Sequence, residues 1–276
     1  MLIYNRLFFV LLFLSATITS VGAAEKPSPT SSAITPAQKY TRTSQEKQKI
    51  TSPLPAFLLK MHSDLATQDY HTIAAQMFHH AVQDYERWLK QGQPEDFHNA
   101  LFHINSSIEI TPDASEYLFF QGMLYASLKA SPASLTQATD SFLSVLELQP
   151  DHRQARFALA QVLQEQGKFR LAAEQYQLLL EAYPEMVTGL VLAPLGFCYL
   201  AGDYLEFGLD YLKNLSHKHP KSAPLRTTLA ILLQNNNRNS EADKELKQIQ
   251  HEKLGTKSEQ EYARLLQTRW QMGGKP

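Results

Sequence analysis

The chain has 276 residues, of which 43% are hydrophobic, and its 26 lysines and arginines nearly balance 27 acidic residues. This length suffices for one sizeable core or for an extended array of small units. The near-neutral charge gives no overall attraction to nucleic acid or to an anionic membrane. The single cysteine, Cys198, excludes an internal disulfide and a cysteine-rich metal site, and leaves open a disulfide to a partner.

Residues 1–24 have the pattern of a secretory signal peptide. The segment MLIYNR supplies a positive charge, LFFVLLFLSATITSV is an apolar run, and small residues follow before Glu25. We predict cleavage near Ala23 or Ala24. The alternative is an uncleaved signal anchor, since the apolar run is near the lower limit for crossing a bilayer. Either way, we expect the rest of the chain to lie outside the cytoplasm.

Residues 25–55 are predicted to be a disordered linker. They contain five prolines, many serines, threonines, lysines and glutamines, and few large apolar residues. Such a segment cannot bury enough apolar surface to offset the entropy cost of ordering its backbone.

A helical hairpin is predicted from the middle of the chain. In GKFRLAAEQYQLLLEAYP, Gly167 permits a turn and Pro184 ends the helix, while the apolar residues between them recur at helical spacing. The preceding segment, residues 155–166, shows a second amphipathic helix. Two helices joined by so short a turn should pack against each other as an antiparallel pair.

The hairpin recurs along the sequence. Ala160, Gly196 and Ala230 occupy equivalent places, separated by steps of 36 and 34 residues. Each second helix supplies a small residue, a large one four positions later and often a closing proline. The small first-helix residues are Gly122, Ala160, Gly196 and Ala230. In the second helices, the alanines are Ala100, Ala138, Ala172 and Ala242, and the large residues are Ile104, Phe142, Tyr176 and Leu212. We expect the small first-helix residues to let the two helices of one hairpin approach closely.

This pattern resembles the tetratricopeptide repeat family over about residues 78–252. The resemblance implies an all-α fold, a right-handed superhelix (α-solenoid) of about four or five antiparallel helix pairs, within a repeat domain spanning residues 56–272. We expect a capping helix at residues 258–270, where Tyr262, Leu265, Leu266 and Trp270 cover the last hairpin, and another helix at residues 55–65 before the first. Pro194 predicts a local irregularity.

The residues do not predict a catalytic site. His79, His80, His98 and His103 cluster in the first hairpin, but without the spacing of a metal site, and Cys198 has no neighbouring base. We therefore predict no enzyme activity, no metal and no cofactor. A metal-dependent enzyme that uses these histidines is retained as the weakest alternative.

In the family that the chain resembles, the first helix of each hairpin lines a concave surface. Carried over, this register predicts a groove for a protein or peptide partner, lined by Phe119, Met123, Phe157, Gln161, Ala193, Phe197, Thr227 and Ile231. The full inward-facing set includes Glu116 and Glu165 and no lysine or arginine. We expect an apolar, amide-lined groove that takes an extended or helical apolar segment. The alternative is that the aromatic side chains pack against their own neighbours.

The resemblance thus implies a non-catalytic scaffold or adaptor in a cell-envelope complex, with a protein or peptide partner, no nucleic acid and no small-molecule substrate. We expect it in the periplasm or secreted, or tethered to the membrane and facing the periplasm if residues 1–24 are retained. A periplasmic chaperone for a secreted or outer-membrane client is the second hypothesis.

Overall fold

The computed structural model describes residues 70–128 and 131–272. The predicted signal peptide, linker and helix at residues 55–65 lie outside these described residues. Eleven α-helices and a 3-10 turn (Pro184–Met186) make up most of the described chain: α1 (Tyr70–Gln91), α2 (Pro94–Ile110), α3 (Ser115–Ser127), α4 (Pro132–Leu148), α5 (Arg153–Glu165), α6 (Phe169–Ala182), α7 (Gly189–Ala201), α8 (Leu205–Lys218), α9 (Ala223–Asn235), α10 (Asn239–His251) and α11 (Lys257–Gln271).

Consecutive helices pack as pairs. The chain divides within α1, between Gln76 and Met77, and the unit that begins at Met77 contains the stacked pairs. Helices α3 and α4, α5 and α6, and α9 and α10 form closely packed hairpins, and α4 against α5, α6 against α7, and α8 against α9 join one hairpin to the next. Helix α11 packs on α10 and α9. The predicted all-α solenoid of helix pairs with a C-terminal capping helix is confirmed.

The repeat positions form the core of the stack. The second-helix alanines and the large residues four positions later are all completely buried: Ala100, Ala138, Ala172, Ala242, Ile104, Phe142, Tyr176 and Leu212. An alanine lets two helix backbones approach closely, and the large side chain then fills the space beside it. Every second helix from α2 to α10 carries such a pair, with Gly208 in place of the alanine in α8, so each hairpin offers a similar surface to its neighbour.

The turns inside the hairpins repeat as strictly as the helices do. Gly167, Asp203 and Asn237 each adopt a left-handed backbone, with φ of 73°, 58° and 58°. They are separated by the same 36 and 34 residues as the core positions. Glycine adopts this conformation without strain, and aspartate and asparagine tolerate it better than other side chains.

Helix α7 departs from the regular stack, as Pro194 predicts. Pro194 lies inside α7, and α7 packs more extensively against α9 than against its own hairpin partner α8. A Cβ atom at Gly196 would lie 2.7 Å from Thr228 Cγ2 of α9. The expectation that Gly196 serves contact within its own hairpin is therefore wrong, because it permits close approach to the next one. The same expectation is confirmed at Gly122, where a Cβ would lie 2.6 Å from the ring of Phe142 in α4.

Candidate partner-binding pocket

An open pocket of about 290 Å³ lies where α7, α9 and α11 meet, and we call it the C-terminal pocket. Its walls are almost entirely apolar, and the residues that line it are Gly189, Ala193, Gly196, Phe197, Leu200, Pro224, Thr227, Thr228, Ile231, Leu232, Glu259 and Tyr262. A pocket with apolar walls and few polar groups is the usual form of a site that binds an apolar side chain or ligand.

Helix α7 supplies the most apolar wall. Its sequence, GLVLAPLGFCYLA, contains no charged residue, which sets it apart from the other α-helices that the structure describes. One face is buried in the stack, yet Leu190 and Phe197 remain 48% and 50% exposed. The Phe197 ring contacts Phe169 edge-on, with ring centroids 5.7 Å apart, so its position is supported from one side. An exposed phenylalanine beside an apolar pocket is typical of a binding surface.

Helix α11 closes the other side of the pocket. Thr256 and Glu259 form a capping box at its start: Thr256 Oγ1 accepts a hydrogen bond from the Glu259 N–H at 3.2 Å, and Glu259 Oε2 accepts one from the Thr256 N–H at 2.7 Å. These bonds satisfy two backbone donors that a helix start otherwise leaves unpaired. They also hold the Glu259 carboxylate at the pocket wall, one turn before Tyr262.

The structure brings together four of the eight predicted groove residues. Ala193 and Phe197 of α7 lie opposite Thr227 and Ile231 of α9 in the C-terminal pocket. Gln161 of α5 is only partly exposed, and its Oε1 atom is buried without a hydrogen-bond partner among the described residues.

The other predicted residues lie in the interior. Phe119, Met123 and Phe157 are 8%, 1% and 2% exposed. Phe119 packs beside Phe142 and His152, with ring centroids 5.7 and 5.0 Å away, and Phe157 packs against Tyr176. These side chains follow the alternative that the aromatic residues pack against their own neighbours. In this structure they offer a partner little surface, so the expected role of Phe119 and Phe157 as anchors is corrected.

Sequence reasoning missed the contribution of the capping helix. The apolar stripe of α11 is expected to cover the last hairpin, and Leu266 and Ala263 are indeed buried. Tyr262 and Leu265, however, are 49% and 62% exposed, and Tyr262 lines the pocket. The sequence shows the apolar stripe of α11, but the stripe is wider than the surface that the last hairpin covers.

One histidine of the first hairpin takes part in a polar cluster, and a second lies beside it. His103 Nδ1 lies 2.7 Å from Oδ2 of the buried Asp84, which also pairs with Arg87, and the His80 ring lies 5.5 Å from that of His103. In residues 70–128 and 131–272, no three histidine, cysteine or acidic side chains come together in a way that could hold a metal.

Cys198 is completely buried, and burial raises the pKa of its thiol to about 12, so the reactive thiolate is scarce at neutral pH.

None of the helices from Tyr70 to Met272 combines the length and apolar character needed to span a bilayer.

Comparison with known proteins gives structural likenesses only. No family model matches the sequence, and no curated protein matches it. Among solved structures, MamA from Desulfovibrio magneticus RS-1 is 19% identical, with 67% of this chain and 95% of that one covered and a TM-score of 0.47. YrrB, described as a TPR protein with an unusual peptide-binding site, is 16% identical over 70% of this chain and 89% of that one, with a TM-score of 0.48. PilF from Pseudomonas aeruginosa is 15% identical over 63% and 75%, with a TM-score of 0.43.

At these identities and TM-scores the likenesses carry no inference about what the chain binds. The fold is established by the chain's own helices, through their pairing, the recurring buried alanines and the repeated left-handed turns. On these observations, the chain has a tetratricopeptide-like helical repeat fold.

Proposed function

We propose that the protein is a non-catalytic interaction scaffold that binds an apolar side chain of a protein or peptide partner in the C-terminal pocket. The observation that carries this proposal is the uncharged helix α7, which leaves Phe197 half exposed beside Ala193 and faces Ile231 across the pocket. Exposing such residues to water costs free energy that a partner would recover on binding, at about 25 cal/mol for each Å² of apolar surface covered.

The geometry suits one anchor better than a long groove. The pocket volume of about 290 Å³ accommodates one or two large side chains, and the first-helix aromatic residues further along the stack, Phe119 and Phe157, are buried. A single well-packed anchor surrounded by weaker contacts is common in protein interfaces. The partner would therefore place one or two apolar residues between α7, α9 and α11, in an extended or a helical segment.

The cellular setting is also part of the proposal. The signal-like sequence of residues 1–24 supports export, so we propose that the scaffold acts in the cell envelope, in the periplasm or tethered to the membrane. The alternative, a periplasmic chaperone, uses the same pocket but would hold many unfolded clients. Recovery of one partner in fixed proportion favours the scaffold, whereas a broad set of unfolded proteins favours the chaperone.

Affinity purification with matched variants tests the proposal. Phe197→Ala removes the pocket anchor, and Phe207→Ala removes an equally large, 58% exposed phenylalanine that does not line the pocket. We expect Phe197→Ala and Ile231→Asp to abolish recovery of the partner and Phe207→Ala to preserve it, with circular dichroism confirming that all three remain folded. Equal recovery by all variants would contradict the proposal.

A further inference from the structure

The charge of the C-terminal pocket comes from a hydrogen-bond acceptor, a carboxylate. Glu259 is the one charged residue among those that line the pocket. Its capping bonds, from the Thr256 N–H and hydroxyl, both use Oε2. Oε1 therefore remains available to a ligand, and no lysine or arginine within the described chain forms an ion pair with Glu259.

A neighbouring group adds an acceptor. The Thr228 hydroxyl already donates to the Pro224 carbonyl at 2.9 Å, so it can offer a ligand only its lone pairs. A ligand that brings hydrogen-bond donors would bond to Glu259 and Thr228, and an anionic ligand would not.

The charge of the pocket points the same way. Glu259 carries the one charge among the lining residues, and no lysine or arginine lines the pocket. Charge complementarity therefore favours a cationic partner segment over an acidic one, which would bring a second negative charge beside Glu259.

We propose that the C-terminal pocket recognises a basic apolar segment, in which a large apolar side chain enters between Phe197 and Ile231 and an adjacent lysine or arginine pairs with Glu259. This inference rests on the proposed function, because it names the chemistry of the partner at the same site. The apolar contact supplies most of the affinity, and the carboxylate selects the charge of the residue beside the anchor.

The chain offers a substitution that removes the charge and keeps the fold. Glutamine at the position of Glu259 can still accept the Thr256 N–H bond, so Glu259→Gln preserves the capping box while it neutralises the pocket. Thr256→Ala has the opposite effect, since it weakens the cap and leaves the carboxylate in place. Comparing the two separates recognition of charge from stability of α11.

The experiment is a selection from a random linear peptide library displayed on phage, performed on the full chain. Wild-type protein and Thr256→Ala should enrich peptides with a large apolar residue beside a lysine or arginine. Glu259→Gln should enrich the same apolar residues without the cation, and Phe197→Ala should enrich neither. For the best synthetic peptide, we expect Glu259→Gln to weaken binding by about fivefold, the upper range of a partly exposed ion pair, and added salt to reduce that difference.

The possible failures are distinguishable. Apolar enrichment that depends on Phe197 but shows no preference for a cation would overturn this inference and leave the proposed function standing. Enrichment that ignores Phe197 would overturn both. Sedimentation velocity measures whether a second copy of the chain occupies the pocket instead. A dimer that dissociates in Phe197→Ala but persists in Phe207→Ala would assign the pocket to that second copy. This result would contradict a basic peptide partner.

Discussion

Gly196 of α7 lies directly against Thr228 of α9, so closely that a Cβ atom at position 196 would stand 2.7 Å from Thr228 Cγ2. This contact joins two successive hairpins and forms the base of the C-terminal pocket, which both residues line. Thr228 is held in place by its hydroxyl bond to the Pro224 carbonyl and is stiff because of its branched Cβ. It therefore cannot move aside at low cost.

The first prediction follows from this contact. Gly196→Ala should lower the free energy of unfolding by about 1–2 kcal/mol, because the clash outweighs the gain in helix propensity. Chemical denaturation measures the change. Gly189→Ala at the start of α7 is the control, since the added Cβ atom would have Pro224 Cβ, 3.9 Å away, as its nearest contact outside the helix. Adding Thr228→Ser, which removes the clashing methyl group, should restore most of the stability, and the absence of rescue would contradict this account.

The capping box gives the second prediction. Thr256→Ala should cost about 1 kcal/mol of stability, because the side-chain oxygen that accepts the Glu259 N–H bond is lost. Thr136→Ala on α4 is the matched control, since the exposed hydroxyl of Thr136 bonds only to the Pro132 carbonyl of its own helix. Similar losses in both variants, measured by urea denaturation, would show that the cap does not stabilise α11 as described.

The third prediction concerns the buried carboxylate of the first hairpin. Asp84 is 3% exposed and pairs with both His103 and Arg87. Asp84→Ala should lower stability by about 2 kcal/mol, because His103 loses its carboxylate partner and Arg87 keeps only its bond to Asp96. The same change at the exposed Asp140 of α4 should have almost no effect on thermal unfolding. Equal melting temperatures for Asp84→Ala and wild type would count against a structural role for the cluster.

Cys198 gives the fourth prediction, which concerns pH. Burial raises its pKa to about 12, so the native thiol stays protonated through neutral and mildly alkaline pH. Iodoacetamide should label the unfolded chain quickly at about pH 8 and the native chain at least about a hundredfold more slowly. Because the unfolded thiol ionises near its ordinary pKa, at about 8.5, this group's contribution to stability is complete below that pH and declines above it. Fast labelling of native protein would contradict the burial of Cys198.

Much of the fold is predictable from the sequence, because the repeat pattern encodes contacts that are local and recur. The alanine at Ala172 and the large residue at Tyr176 predict a hairpin interface wherever the same spacing appears, and both are fully buried. The capping helix is likewise visible in advance, with its predicted ends within one residue of those observed.

The pocket is only partly predictable. The family register identifies Ala193, Phe197, Thr227 and Ile231 as inward-facing, but it cannot distinguish them from Phe157, which occupies the same repeat position as Ala193. The difference arises from tertiary packing: α7 leans toward α9, and α11 adds Tyr262 to the opening. Periodicity reports the direction in which a side chain points, and not what covers it.

Site-specific photo-crosslinking from the pocket wall tests most directly whether the C-terminal pocket binds the partner. A photoreactive phenylalanine analogue at the exposed Ala193 should crosslink the partner identified by affinity purification, and mass spectrometry should locate the attachment at an apolar segment of that partner. The same analogue at Leu148, 45% exposed on α4, should give no crosslink. We predict that Phe197→Ala abolishes the crosslink from position 193. A crosslink that persists in Phe197→Ala, or that forms equally from position 148, would contradict the claim that the C-terminal pocket is the binding site.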